Sequence, residues 1–133
     1  GIIKIKCEEE QEMIESSITF LPVSNLKETV RFYTEVVGLT VWKEMGSCII
    51  LSCNKGYWGF CQYDDGRPLA SGVCMSLNCE NTQQVDQEYQ RLQSLGIKTQ
   101  GAPARHPKFP VYSFFFADPD GYLLEFQKIV DEE

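Results

Sequence analysis

One stretch of this chain occurs twice. The segment Ile18–Asn25 leads into Leu26–Leu39, and Cys74–Asn81 leads into Thr82–Ile97, with Val23 aligned to Cys79, Asn25 to Asn81 and Tyr33 to Tyr89 at one constant spacing. Gly38 and Gly96 close the two copies at the same kind of place. Farther on, Gly56–Gln62 resembles Gly121–Gln127, which sets Phe60 opposite Glu125, so the later part of each half is repeated as well. A small chain made of two similar units packs one against the other and encloses a site between them.

At 133 residues and 43% hydrophobic, the chain has enough apolar surface for one core but not for two independent ones. The expected organisation is one domain: a module over about 17–64, a linker over 65–71, a module over about 72–128, and an N-terminal extension over 1–16. A formal charge of −7, with 12 basic and 19 acidic residues, leaves no basic stripe, so nucleic acid is excluded as a partner. No apolar run approaches the roughly 18 residues that span a bilayer, and with no leader pattern the expected location is the cytoplasm. The six cysteines include no Cys-x-x-Cys pair and mostly fall in apolar, strand-like runs. They are expected to be reduced thiols packed as small hydrophobes.

Helix signals stand at equivalent places in the two halves. Asn25 with Glu28 three residues on, then Leu26, Val30, Tyr33 and Val37 at helical spacing, predicts a helix from about Leu26 to Val37 that stops at Gly38. Asn81 with Gln84, then Val85, Tyr89 and Leu92, predicts its counterpart before Gly96. Strands are expected at Ile18–Val23, Thr40–Glu44, Cys48–Ser52 and Trp58–Tyr63, and again at Val73–Cys79, Ile97–Thr99, Ser113–Phe116 and Tyr122–Lys128. Each half thus reads β-α-β-β-β. The Pro-rich segment Gly101–Pro110 is expected to be a loop long enough to lie over a site, and Ile2–Lys6 to add an edge strand or a partner contact.

Paired β-α-β-β-β units ending in Asp118-Pro-Asp-Gly-Tyr-Leu-Leu-Glu125, with Val23–Tyr33 and Gly38-Leu39 in the first copy, resemble the vicinal oxygen chelate superfamily. That superfamily includes glyoxalases, bleomycin- and fosfomycin-resistance proteins and extradiol dioxygenases. The resemblance covers about Ile18 to Gln127. It implies an α+β fold in which two tandem βαβββ modules form a curved, half-barrel mixed sheet around a cleft, and it implies a homodimer. Metal-using members carry a ligand on the first and last strand of each module, which the resemblance and the repeat place at Ile18, Phe60, Cys74 and Glu125.

Ile18 and Phe60 carry no donor atom. A divalent metal needs three or more converging donors, so no cofactor is expected, and Cys74 and Glu125 remain only weak metal candidates. Strand alternation sets Glu125 with Leu123 and Gln127 on one face; if that face lines the cleft, the carboxylate has few donors nearby and is a candidate base or ligand anchor. His106 is the one histidine, and therefore the one histidine candidate for acid–base work, although it lies in a Pro-flanked loop. The aromatic residues, Trp58, Tyr112 and Phe60 among them, are too many for one core face, and some should line the cleft. The leading expectation is a binder of a small aromatic or amphipathic molecule that uses Ile18, Phe60, Cys74, Glu125, Leu123, Gln127, Tyr112 and Trp58. The alternatives are a lyase, isomerase or dioxygenase built around Glu125, Cys74 and His106, and a dimerisation module with an unused cleft.

Overall fold

The asparagine at the head of each repeat caps a helix, and the rest of each half is built outward from it. The computed structural model describes residues 13–130, so the strand expected at Ile2–Lys6 lies outside the described residues. Asn25, in extended conformation, accepts the Glu28 N–H at 3.1 Å and starts α1 (Leu26–Arg31). Asn81 accepts the Gln84 N–H at 2.8 Å and starts α2 (Thr82–Ser94), while the Gln84 side chain reaches back to the Glu80 N–H at 2.7 Å. Each cap satisfies an N–H that the helix itself leaves unpaired. The first helix reaches its glycine by a different route from the second. From Phe32 to Val37 it widens into π-helical winding, and it ends at Gly38 with φ 101°, a conformation that favours a residue without Cβ.

The strands form two open four-stranded mixed sheets, so the fold is α+β. In the first, β1 (Ile18–Pro22) lies parallel to β4 (Gly56–Cys61), followed by β3 (Cys48–Cys53) and β2 (Thr40–Met45) in antiparallel order. In the second, β5 (Cys74–Asn78) lies parallel to β8 (Leu123–Ile129), followed by β7 (Val111–Ala117) and the short β6 (Ala104–Arg105). The expected strand Ile97–Thr99 is reduced to a single bridge from Thr99 to Phe116. Its place is taken by Ala104–Arg105, from inside the segment expected to be a loop. Pro103 and Pro107 cannot donate to a ladder and confine that strand to a short stretch at the sheet edge.

One face of each sheet packs into a core common to both halves. Leu21, Leu51 and Phe60 of the first sheet join Met75, Leu77, Phe114, Phe116, Leu124 and Phe126 of the second, with Tyr33 and Val37 of the first helix and Val85 and Leu92 of α2. The π-helical winding presents adjacent residues to both sheets: Tyr33 stacks on Phe60 at 4.5 Å and Phe32 lies 6.3 Å from Phe116. Polar links cross between the halves at both ends of the first helix: the Ser24 N–H donates to Asp120 at 3.0 Å and the Tyr122 hydroxyl to the Pro22 carbonyl, and two further links tie the helix itself. Arg91 of α2 donates to the Val36 carbonyl at 2.7 Å, capping the first helix, and the Tyr33 hydroxyl donates to Asp118 at 2.8 Å. Because these alternating positions point into one shared core, the opposite faces of the two sheets turn away from each other.

The cysteine expectation requires correction. Cys48 and Cys61 are cross-strand partners on β3 and β4, their Cα atoms 4.1 Å apart, and they form a disulfide. The pairing depends on strand register, which no Cys-x-x-Cys spacing announces. Cys53 and Cys74 are free and exposed, while Cys79 is free and buried, with burial and then the Glu88 charge pushing its thiol up to about 11. Among the described residues no helix is long and apolar enough to cross a membrane.

Candidate functional site

Register decides which side chains share the outward face of the second sheet. Cys74 sits opposite Leu123, Ser76 opposite Glu125 and Asn78 opposite Gln127, and on the far side of β8 Glu125 faces Phe115. Glu125, Leu123 and Gln127 are half-buried on this open face. The Ser76 hydroxyl donates to the Glu125 carboxylate, and the Gln127 amide donates to Asn78 at 3.1 Å. Glu125 therefore has a donor that the sequence reading did not name. Ser76 is the serine that faces Glu125 in register, and strand pairing alone would have found it. Burial, and secondarily the Glu125 charge, push the exposed Cys74 thiol up, so it is held protonated at neutral pH and is a poor metal ligand and nucleophile.

In the first sheet the register moves the equivalence by one residue. Phe20 pairs with Gly59 in the way that Ser76 pairs with Glu125, so Gly59, not Phe60, is the structural counterpart of Glu125. A one-residue slip exchanges faces, and Phe60 is accordingly 0% exposed in the core beneath Tyr33. Ile18 lies on the outward face with Phe20 and Tyr57, and Trp42, at a bulge in β2, reaches Tyr57 at 4.7 Å. Phe20 lies flat over Gly59, where an added Cβ would meet its ring at 2.3 Å. Gly59→Ala is expected to destabilise the fold by about 1–3 kcal/mol through overpacking. In a Phe20→Ala background that cost should disappear, and urea unfolding of the four proteins of the cycle reads the coupling directly.

Tyr112 and His106 fall away from Glu125. Tyr112 occupies the helix-facing side of β7, where its hydroxyl donates to Asp86 of α2 at 2.5 Å, so it does not share the outward face. The His106 Nδ1 accepts the N–H groups of Lys108 and Phe109 at 3.0 and 3.2 Å, and the His106 backbone N–H donates to the Val111 carbonyl at 2.8 Å. In register terms Val111 faces Ile129, whereas Glu125 faces Phe115. His106 serves as the pin of a turn, and the structure does not bring Glu125, Cys74 and His106 together as one constellation.

The metal positions of the superfamily thus carry Ile18, Gly59, Cys74 and Glu125, of which only the last two hold a donor atom. Among the described residues no group of three or more His, Cys, Asp or Glu side chains converges. This donor set does not fit a divalent metal. Ser76, the partner of Glu125, lines one of the cavities of the molecule. That cavity, of about 500 Å³, lies where the β3–β4 turn and the end of the first helix meet β5, with Trp58 also in its wall.

Comparison with known proteins agrees with this architecture. Residues 16–126 match the family model described as the Glyoxalase/Bleomycin resistance protein/Dioxygenase superfamily. The chain is 24% identical over 123 residues to a bleomycin resistance protein of Geobacillus stearothermophilus, covering 83% of this chain and 93% of that one. It is 30% identical over 115 residues to a protein of Serratia marcescens named glutathione transferase FosA, covering 79% of this chain and 74% of the relative. The crystal structure of a glyoxalase/bleomycin resistance protein/dioxygenase from Nocardioides superposes with a TM-score of 0.72 at 20% identity, over 94% of this chain and 93% of that one.

Proposed function

This chain belongs to the glyoxalase/bleomycin resistance protein/dioxygenase superfamily, and from that premise we propose that it binds a small molecule without a metal, on the outward face around Glu125. The observation that carries the reading is a half-buried carboxylate held by the Ser76 hydroxyl on an otherwise open sheet face. One carboxylate oxygen is engaged, and the lone pairs that remain suit a cationic or hydrogen-bond-donating group. The relatives named for bleomycin resistance and as glutathione transferase FosA support a small-molecule role in general and do not fix the ligand.

The same reading supplies the other wall of the cleft. The outward face of the first sheet is rich in apolar and aromatic groups, with Phe20 43% and Trp42 46% exposed, while that of the second is polar around Glu125. Within one chain the two faces look away from each other. A homodimer in which the aromatic face of one chain covers the Glu125 face of the other completes the cleft, giving ring packing on one side and a charge-assisted bond on the other. Light scattering at tens of micromolar is expected to give twice the chain mass, and a monomer there defeats this arrangement.

The ligand test uses a thermal-shift screen of aromatic amines and amphipathic cations followed by titration of the hits. Glu125→Gln is expected to weaken binding by about 1–3 kcal/mol with the fold intact, as the charge-assisted bond is lost. Equal affinities in wild type and variant would remove Glu125 from the function.

A further inference from the structure

The crevice between the halves adjoins the Glu125 face along β5, where Ser76 and Asn78 border both, and has its own chemistry. Its floor is apolar, from Val37, Leu39 and Leu77; Trp58 stands at one side, and Asn54, Lys55 and Asn78 lie at the rim. Trp58 is half-buried, and its six-membered ring lies over the turn, 3.6 Å from where a Cβ on Gly56 would be, with the free Cys53 sulfur 3.4 Å from the same point. A cavity of about 500 Å³ is large enough for a ring-bearing ligand.

Charge selects the ligand class. In a chain of net charge −7, Lys55 is the only charged residue that lines this crevice, and it forms no ion pair among the described residues. The C-terminal end of the first helix also borders the crevice at Val37 and would ordinarily present carbonyl oxygens that repel an anion. Arg91 occupies those oxygens, donating to Val36 at 2.7 Å and to Val37 at 3.4 Å. The cavity of similar size beside Phe32 lacks this bias, since Glu28 and Asp118 line it together with Lys98.

We propose that the crevice between the β3–β4 turn and β5 binds a planar aromatic anion, its ring against Trp58 and its carboxylate or sulfonate at Lys55, independently of the site around Glu125. A ring on Trp58 and a carboxylate on an ammonium both gain from the apolar floor. Asn54 and Asn78 supply further donors at the rim.

Trp42→Phe leaves Trp58 as the only tryptophan, so its fluorescence reports on this crevice alone. Titration of that protein with 2-naphthoate is expected to quench Trp58 saturably. Adding Lys55→Gln, a change in an exposed turn, should weaken the naphthoate at least fivefold and leave the neutral analogue 2-naphthol within twofold. Glu125→Gln should leave naphthoate binding within twofold, which separates this site from the one proposed above. Absence of saturable quenching, equal naphthoate affinity with Lys55→Gln, or loss of binding with Glu125→Gln would each overturn the proposal. Unfolding midpoints of the variants, unchanged from the parent, show that the readout is binding and not folding.

Discussion

Asp118→Ala is expected to lower the unfolding free energy by about 3–5 kcal/mol, the range for stripping one partner from a buried charged network. Asp118 is 6% exposed; its Oδ1 accepts the N–H groups of Asp120 and Tyr122 at 2.8 and 2.9 Å, and its Oδ2 accepts the Tyr33 hydroxyl at 2.8 Å. Alanine strands all three donors. Asparagine can keep the two backbone bonds through its oxygen, and Tyr33 can turn its hydroxyl hydrogen away to accept from the amide, so Asp118→Asn should stay within about 1 kcal/mol of wild type. Their pH profiles should differ as well. Desolvation pushes the Asp118 carboxyl above its ordinary 3.8 despite its donors, so the folded state holds this proton more tightly than the unfolded chain does. That contribution is fully present below pH 3.8 and is lost as pH rises through the folded value, so Asp118→Asn should remove this component of the pH dependence in urea unfolding measured from pH 3.5 to 7. An alanine variant as stable as wild type would refute the latch between the halves.

Phe60→Ala is expected to cost about 3–5 kcal/mol by leaving a cavity under Tyr33, a large part of the roughly 5–15 kcal/mol that a domain of this kind possesses. Phe60→Leu, which keeps most of the volume, should cost under about 1.5 kcal/mol. Denaturant midpoints with unchanged slopes would assign both losses to packing. If Phe60→Ala unfolded like wild type, the residue would not be the core element that its full burial and its 4.5 Å stack on Tyr33 imply.

Phe60 also shows where sequence stopped being legible. The internal repeat, the two asparagine caps, the α+β class and the superfamily could all be read from residues, because caps, glycine stops and apolar spacing are local signals. Matching Gly56–Gln62 with Gly121–Gln127 letter by letter placed Phe60 opposite Glu125, whereas hydrogen-bond register pairs Phe20 with Gly59. Strand periodicity of two turns that one-residue difference into a change of face. Ser76, the Cys48–Cys61 disulfide and Ala104–Arg105 were hidden for the same reason: each is defined by what lies across a ladder. The turn that fixes His106 needed only Lys108 and Phe109, yet a histidine between an arginine and a proline carries no mark separating a pin from a catalyst.

The links between the halves bear on how the chain reaches its fold during synthesis. Translation delivers the first half before the second, and domains ordinarily fold as units in that order. Here the end of the first helix waits for Arg91, and Tyr33 waits for Asp118, the partner of its buried hydroxyl. An emerging N-terminal half is therefore an open sheet whose apolar face is covered only by its own first helix until α2 and the β7–β8 turn have left the ribosome.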